Sequence, residues 1–139
     1  MFDLALHFGD EPISLKSTAE RQGISEYYLE QLIAVLRREG FVKSVRGAQG
    51  GYVLARDPSL ITVGEVLNVL EGPLEISECI TDDENIECLR ANYCPTRLIW
   101  VKIRSAVNEV VNSITLNDMV NDYKMLCEKN KPQIEKESE

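Results

Sequence analysis

The chain has 139 residues, of which 44% are apolar and 27% charged, and its formal net charge is −8. This composition supports a packed core and excludes collagen-like, mucin-like and wholly disordered chains, and no apolar run reaches the roughly 18 residues that could span a membrane. Four cysteines are too few for a disulfide scaffold, and the opening Met1 to His7 is too short and acidic for a signal peptide, so the expected compartment is a reducing cytoplasm.

In chain order, Met1 to Phe8 reads as the end of a helix, with Leu4 and Phe8 one turn apart and no capping residue before them. Ser14 caps a short helix over Leu15 to Gln22 that Gly23 closes, and Ser25 caps a second helix running to about Glu39, where Gly40 ends it. The second helix is expected to bury Leu29, Leu32, Ile33 and Leu36, leaving Glu26, Tyr27, Glu30, Gln31, Arg37 and Arg38 outward. Phe41 to Val45 and Tyr52 to Ala55 are strand-like, and the glycines of the intervening Arg46 to Gly51 suit a hairpin tip. Thr62 and Glu65 form a capping box that starts a helix through Leu70, which Gly72-Pro73 stops.

Residues 74–94 lose periodicity and gather acidic side chains around Cys79, Cys88 and Cys94, which predicts a loop. From Pro95, apolar Ile99, Ile103, Val107, Val110 and Ile114 recur at spacings of four, four, three and four, the stripe of a long amphipathic helix. Thr115 to Asp118 offers a further helix start, and residues 130–139 read as a disordered charged tail. The fold class that follows is mainly α with a small β-hairpin. Residues 1–73 form a winged helix-turn-helix DNA-binding domain, 74–94 a cysteine loop, and 95–129 a dimerisation helix with a C-terminal helix.

Net acidity argues against nucleic acid, but its distribution along the chain points the other way. Residues 1–56 hold seven basic and seven acidic side chains, so the whole −8 belongs to residues 57–139. Between 37 and 56, Arg37, Arg38, Lys43, Arg46 and Arg56 face only Glu39, a local +4. A helix, tight turn, helix and Gly-tipped hairpin would place the second helix in a major groove and the hairpin on backbone or minor groove. Ser25 opens that helix, whose N–H groups suit a phosphate; Tyr28 lies in its first turn; Gln31 can pair with adenine; Glu30 can accept from the cytosine amino group. Arg46, with Gly47 and Gln49 beside it, suits a narrow electronegative groove. The plainer alternative is a solvated Glu26 and Glu30 ridge beside an ordinary surface arginine. A phosphate-binding P-loop is excluded, because no Gly-Lys-Ser or Gly-Lys-Thr follows Gly47 to Gly51.

Cys79, Cys88 and Cys94 follow a C-x8-C-x5-C spacing that could enclose zinc or an iron–sulfur centre. Both centres normally take four protein ligands. His7 is remote, Cys127 lies in the last helix and Arg97 cannot ligate, so the fourth is expected from Asp83, Glu84, Glu87, a partner subunit or a small molecule. Such a weak position would make the centre labile, as suits a sensor; the alternatives are ordinary reduced thiols or a redox disulfide. The long helix outruns what a small winged domain can cover, which predicts a twofold homodimer through a twin helix. Trp100 and Tyr93 would pack over the cysteine loop, and Cys127, one turn from Tyr123, would serve packing. One histidine and no paired nucleophile and base leave no catalytic set, so no enzyme activity is expected.

The run Gly23 to Leu32, the wing Lys43 to Tyr52, the Leu70-Glu71-Gly72-Pro73 turn and Cys94-Pro95-Thr96-Arg97 together resemble the IscR-type iron–sulfur regulators, bacterial winged-helix repressors. The resemblance covers residues 1 to about 120. It implies a dimeric transcription factor that binds a double-stranded DNA operator and a 2Fe–2S cluster, with 4Fe–4S the other nuclearity, and that adjusts cluster-assembly genes to supply. It assigns Ser25, Tyr28, Glu30 and Gln31 to the reading helix, Arg46 to the wing, and Cys79, Cys88 and Cys94 to the cluster. Relatives without a cluster imply the alternative, a sensor of thiol redox state, nitric oxide or a protein partner in cysteine metabolism. Two departures carry expectations of their own. Arg97 stands where the best-studied members have a histidine, so another group ligates or the cluster type differs. The family begins with about a dozen more residues that include a basic stretch holding DNA, and this sequence starts after it, which predicts a truncated product or an internal start codon and reduced DNA affinity.

Overall fold

The computed structural model describes residues 1–80 and 88–130; the expected tail at 130–139, and the acidic side chains at 82–84 and 87, lie almost wholly outside them. Among the described residues, six α-helices and one hairpin follow the expected order: α1 Phe2–Leu6, α2 Leu15–Gln22, α3 Glu26–Arg38, β1 Val42–Val45, β2 Gly51–Leu54, α4 Val63–Glu71, α5 Pro95–Ser113 and α6 Leu116–Lys129. Short 3-10 turns occur at Pro58–Leu60, Glu78–Ile80 and Ala91–Tyr93.

The helix starts are local chemistry. Ser14 Oγ accepts from Ser17 N–H and Ser25 Oγ from Tyr28 N–H, each satisfying one of the donors a helix leaves open. Thr62 with Glu65, and Thr115 with Asp118, close complete capping boxes. Gly23 ends α2 in the left-handed conformation at φ +65°, which lets the chain reverse into α3 within three residues.

The core joins α1, α3, the base of the hairpin and α6: Leu4, Ile33, Leu36, Phe41, Val42, Leu54, Ile61, Leu116 and Val120 are buried together. Leu29 and Leu32 are half-buried at its edge, and Phe8, expected to share the face of Leu4, is exposed. Buried at the start of the chain instead is Asp3, 4% exposed. Arg21 Nε and Nη2 donate to its two carboxylate oxygens at 3.0 and 2.7 Å, and Thr18 Oγ1 donates to Oδ2 at 3.0 Å, which ties α1 to α2.

The two strands pair antiparallel with Val42 opposite Leu54 and Val45 opposite Gly51. Ile13 forms an antiparallel bridge to β2 in the place of a third strand, exchanging both backbone hydrogen bonds with Tyr52 at 3.0 and 2.8 Å, so the wing is anchored to the loop before α2. A second joint links the winged domain to the C-terminal helices. Val63 N–H donates to the Ile114 carbonyl at 2.8 Å and Leu116 N–H to the Ile61 carbonyl at 2.9 Å, directly between the two capping boxes. Beside it α4 and α5 approach so closely that a Cβ at Gly64 would overlap the Asn112 side chain.

Candidate nucleic-acid interface and cysteine segment

The α2-turn-α3 unit presents the first turn of α3 to solvent. Tyr28, Glu30 and Gln31 are exposed there, as the helical periodicity expects, and Tyr27, which sequence reasoning placed outward without a role, is more exposed than Tyr28. Its signal was its place in the first turn of α3, next to Tyr28. Ser25 Oγ already takes the Tyr28 N–H, so the groups left for a phosphate at this helix mouth are the earlier ones, those of Glu26 and Tyr27.

At the wing tip Arg46, Gly47 and Gln49 are all exposed. Gly47 sits at φ +115°, where other residues are strained, and its carbonyl accepts from Gly50 N–H at 3.0 Å to close the tip. A Cβ on Gly50 would strike the Val45 carbonyl, so the tight tip requires glycine there as well.

The local +4 read from sequence divides in three dimensions. Arg38 pairs with Glu39 at 3.2 Å, and Arg56 reaches Glu65 at 3.5 Å while its guanidinium lies 4.8 Å over the Phe41 ring. Among the described residues, Arg37, Lys43 and Arg46 are the members of the window that hold no ion pair. Arg56 is therefore a brace beneath the hairpin. Glu65 serves twice, and its carboxyl lies below the ordinary value, chiefly through the Thr62 N–H with Arg56 adding to it.

The cysteine segment runs along the start of α5. Cys94 is the N-cap of that helix, and the backbone N–H of Arg97, followed by that of Thr96, holds its thiol below the ordinary thiol range. Cys79 is half-buried, its Sγ 3.1 Å from Ser77 Oγ, and Cys88 is exposed. All four cysteines are free thiols. Among the described residues no three His, Cys, Asp or Glu side chains converge on a common point, so Cys79, Cys88 and Cys94 are near in sequence without being gathered in space. Tyr93 does not pack over this segment as expected, being 88% exposed; Trp100 is half-buried on the inner side of α5. Cys127 is also exposed, but its thiol lies against the Tyr123 hydroxyl and pushes that group above the ordinary phenol value, while the Tyr123 ring stacks edge-on against Phe2 with ring centroids 5.4 Å apart.

On α5 the expected apolar stripe is turned away from the molecule. Ile99 and Val110 are each 56% exposed, Ile103 and Val107 lie between them on the same open face, and Leu98 adds to it, while Val101 is exposed on one side and borders Ile80 on the other. The half-buried inner face is Arg97, Trp100, Arg104, Asn108 and Val111, a mixed surface resting on α4 and the Cys79 turn. No helix among the described residues is long and apolar enough to cross a membrane.

Comparison with known proteins agrees with this geometry. The family profile Rrf2, described as an iron-dependent transcriptional regulator, matches residues 1–122. The solved IscR of T. potens is 51% identical, with 95% of this chain and 83% of that one covered and a TM-score of 0.74. The structure of CymR, described as the global cysteine regulator of B. subtilis, is 46% identical, with 86% of each chain covered and a TM-score of 0.72. The transcriptional regulator IscR of Yersinia pestis is 40% identical over 126 residues, 91% of this chain and 75% of that protein.

Proposed function

The chain belongs to the Rrf2 family of transcriptional regulators, and from that premise we propose that it is a homodimeric repressor that binds an operator and senses iron–sulfur status through Cys79, Cys88 and Cys94. It is a regulator and not an enzyme, and the genes it controls are those of cluster assembly. The observation that carries the DNA-reading half is the joint exposure of the first turn of α3 and of a glycine-closed wing bearing Arg46.

In this reading α3 enters the major groove. Gln31 and Glu30 address base edges, Tyr27 and Tyr28 flank them, and Arg46 reaches the neighbouring minor groove with Gly47 and Gln49 at its side. Arg46→Ala should weaken binding to all sequences and reduce the slope of log affinity against log salt by about one, because one phosphate-proximal charge is lost. Gln31→Ala should instead change preference at one base position by about 1–3 kcal/mol and leave the salt slope alone. Fluorescence anisotropy over an operator panel at several salt concentrations separates the two, and variants that keep wild-type affinity at every site and salt concentration would remove the assignment.

The donor chemistry of the cysteine segment suits an iron–sulfur centre: three thiols lie on one stretch, and the third sits at a helix mouth that favours the thiolate. Cys79, Cys88 and Cys94 would hold the centre, with Asp83, Glu84, Glu87, a partner subunit or a small molecule as the fourth ligand, and it would supply a redox- and iron-responsive link between them. Holding it requires Cys79 and Cys88 to approach Cys94. The likeness to T. potens IscR supports a cluster, 2Fe–2S first and 4Fe–4S second. Protein purified without oxygen should be brown, with iron and sulfide present, and Cys88→Ala should lose the visible absorption.

A second reading is favoured by the ungathered thiols and by the equally strong likeness to CymR: a cluster-free regulator in cysteine metabolism that senses thiol oxidation, nitric oxide or a protein partner. Colourless anaerobic protein with normal operator binding decides for it.

A further inference from the structure

Arg97 cannot ligate a metal, yet its side chain is not idle. Its Nε donates to the main-chain carbonyl of Cys79 at 3.1 Å, across 18 residues of sequence. Seven positions further along the same inner face of α5, Arg104 Nη1 donates to the carbonyl of the next residue, Ile80. The two arginines thus take successive carbonyls of a single 3-10 turn, Glu78–Ile80, in which Ile80 N–H also donates to the Ser77 carbonyl at 3.1 Å. Ile80 is buried, 3% exposed, beside Arg97, Val101 and Arg104.

We propose that Arg97 and Arg104 are positioning residues that clamp the Cys79 turn to α5 through its backbone, leaving the Cys79 thiol itself uncommitted to the helix. The inference rests on the sensing role proposed above and deepens it by naming what ties the cysteine segment to the dimerisation helix. A carbonyl clamp suits that task for a physical reason. A guanidinium holds its donors in a fixed plane, so two of them spaced along one helix face fix both the position and the direction of the turn, while a hydrogen bond to the thiol would compete with thiol chemistry. The register of Cys79 along α5 is therefore set before any centre or oxidant arrives. The polar character of the inner face, unexpected for a helix that carries a full apolar stripe, has this turn as its reason.

The test uses reduced, metal-free full-length protein and compares wild type with Arg97→Ala, Arg104→Ala and Arg97→Lys. Amide exchange of Ile80 and alkylation of Cys79 by iodoacetamide, each read by mass spectrometry, should accelerate about five- to tenfold in both alanine variants, the loss expected for one charged hydrogen bond at a partly exposed site. Alkylation of Cys127 and the thermal midpoint should not change. Arg97→Lys, which keeps a cationic donor on this face, should recover at least part of the slow exchange. Unchanged Ile80 and Cys79 rates overturn the clamp, as does an equal acceleration at Cys127, which marks general loosening, or an Arg97→Lys variant as fast as Arg97→Ala. Because no cluster enters the assay, colourless anaerobic protein would defeat the cluster reading and leave the clamp standing, and the reverse outcome is equally distinguishable.

Discussion

Ile103→Asp is expected to yield a folded monomer whose operator affinity is lower by about a hundredfold or more. The α5 face around Ile103 is open to solvent: Ile99, Ile103, Val107 and Val110, with Leu98 beside them, form an exposed apolar strip on a helix of 19 residues. At 1.5 Å per residue that helix is roughly 28 Å long, enough for a twin from a second copy to lie along it. A self-complementary contact of this kind uses the same face of each subunit, so the substitution introduces two carboxylates into one apolar seam. Removing a charge from water without a partner costs several kcal/mol, far more than the few tenths expected for an exposed position in a monomer. The operator consequence follows from geometry. Two linked reading heads bind the second half-site at high effective concentration, and a monomer loses that advantage entirely. Sedimentation velocity and operator titration on the same preparation check both halves, and a variant that stays dimeric at micromolar concentration would show that α5 is not the seam.

What could be read from residues alone follows the range of the interactions involved. Ser14, Ser25, Thr62 and Thr115 each act on an N–H three residues away, so their helix starts were legible to within a residue. The hairpin was legible for the same reason, its glycines lying inside the turn they permit. Periodicity marked the apolar stripe of α5 correctly but could not say which way it faces, because a repeat of 3.6 residues defines a face without naming what covers it. The inner face was invisible, since Arg97, Arg104 and Asn108 carry no hydrophobic signal, and their partner turn is remote in sequence.

The candidate site divides along the same line. Tyr28, Glu30, Gln31 and Arg46 are exposed because their positions on a helix and at a turn require it. The C-x8-C-x5-C spacing shows that three thiols are near one another along the chain, whereas convergence depends on how the intervening backbone folds. The charge count likewise gave a window and not a surface. Arg56 belongs to that window by number but to the hairpin base by contact, through Phe41 and Glu65.

Nothing in the sequence marks Asp3, yet its buried carboxylate is what holds α1 to α2 through Arg21 and Thr18. Asp3→Asn should cost about 2 kcal/mol at pH 7, a factor of roughly 30 in the folding equilibrium, because the amide can accept only one of the two Arg21 donors and lacks the charge. The pH dependence identifies the cause. Arg21 first, then Thr18, with Arg21 and His7 charges adding, hold the Asp3 carboxyl below its ordinary value of 3.8 against the opposing effect of burial. The Met1 amino group also faces it. A carboxyl whose folded value is depressed stabilises the fold fully above its unfolded value, and that contribution is lost as pH falls through the folded one. The wild-type advantage over Asp3→Asn should therefore be constant from pH 7 down to about pH 5 and shrink on further acidification, since a protonated carboxyl and the amide that replaces it differ little in size or hydrogen bonding. Chemical denaturation of both proteins across that range tests it. A gap that persists unchanged below pH 4 would mean that packing, and not the charge on Asp3, holds α1 against α2.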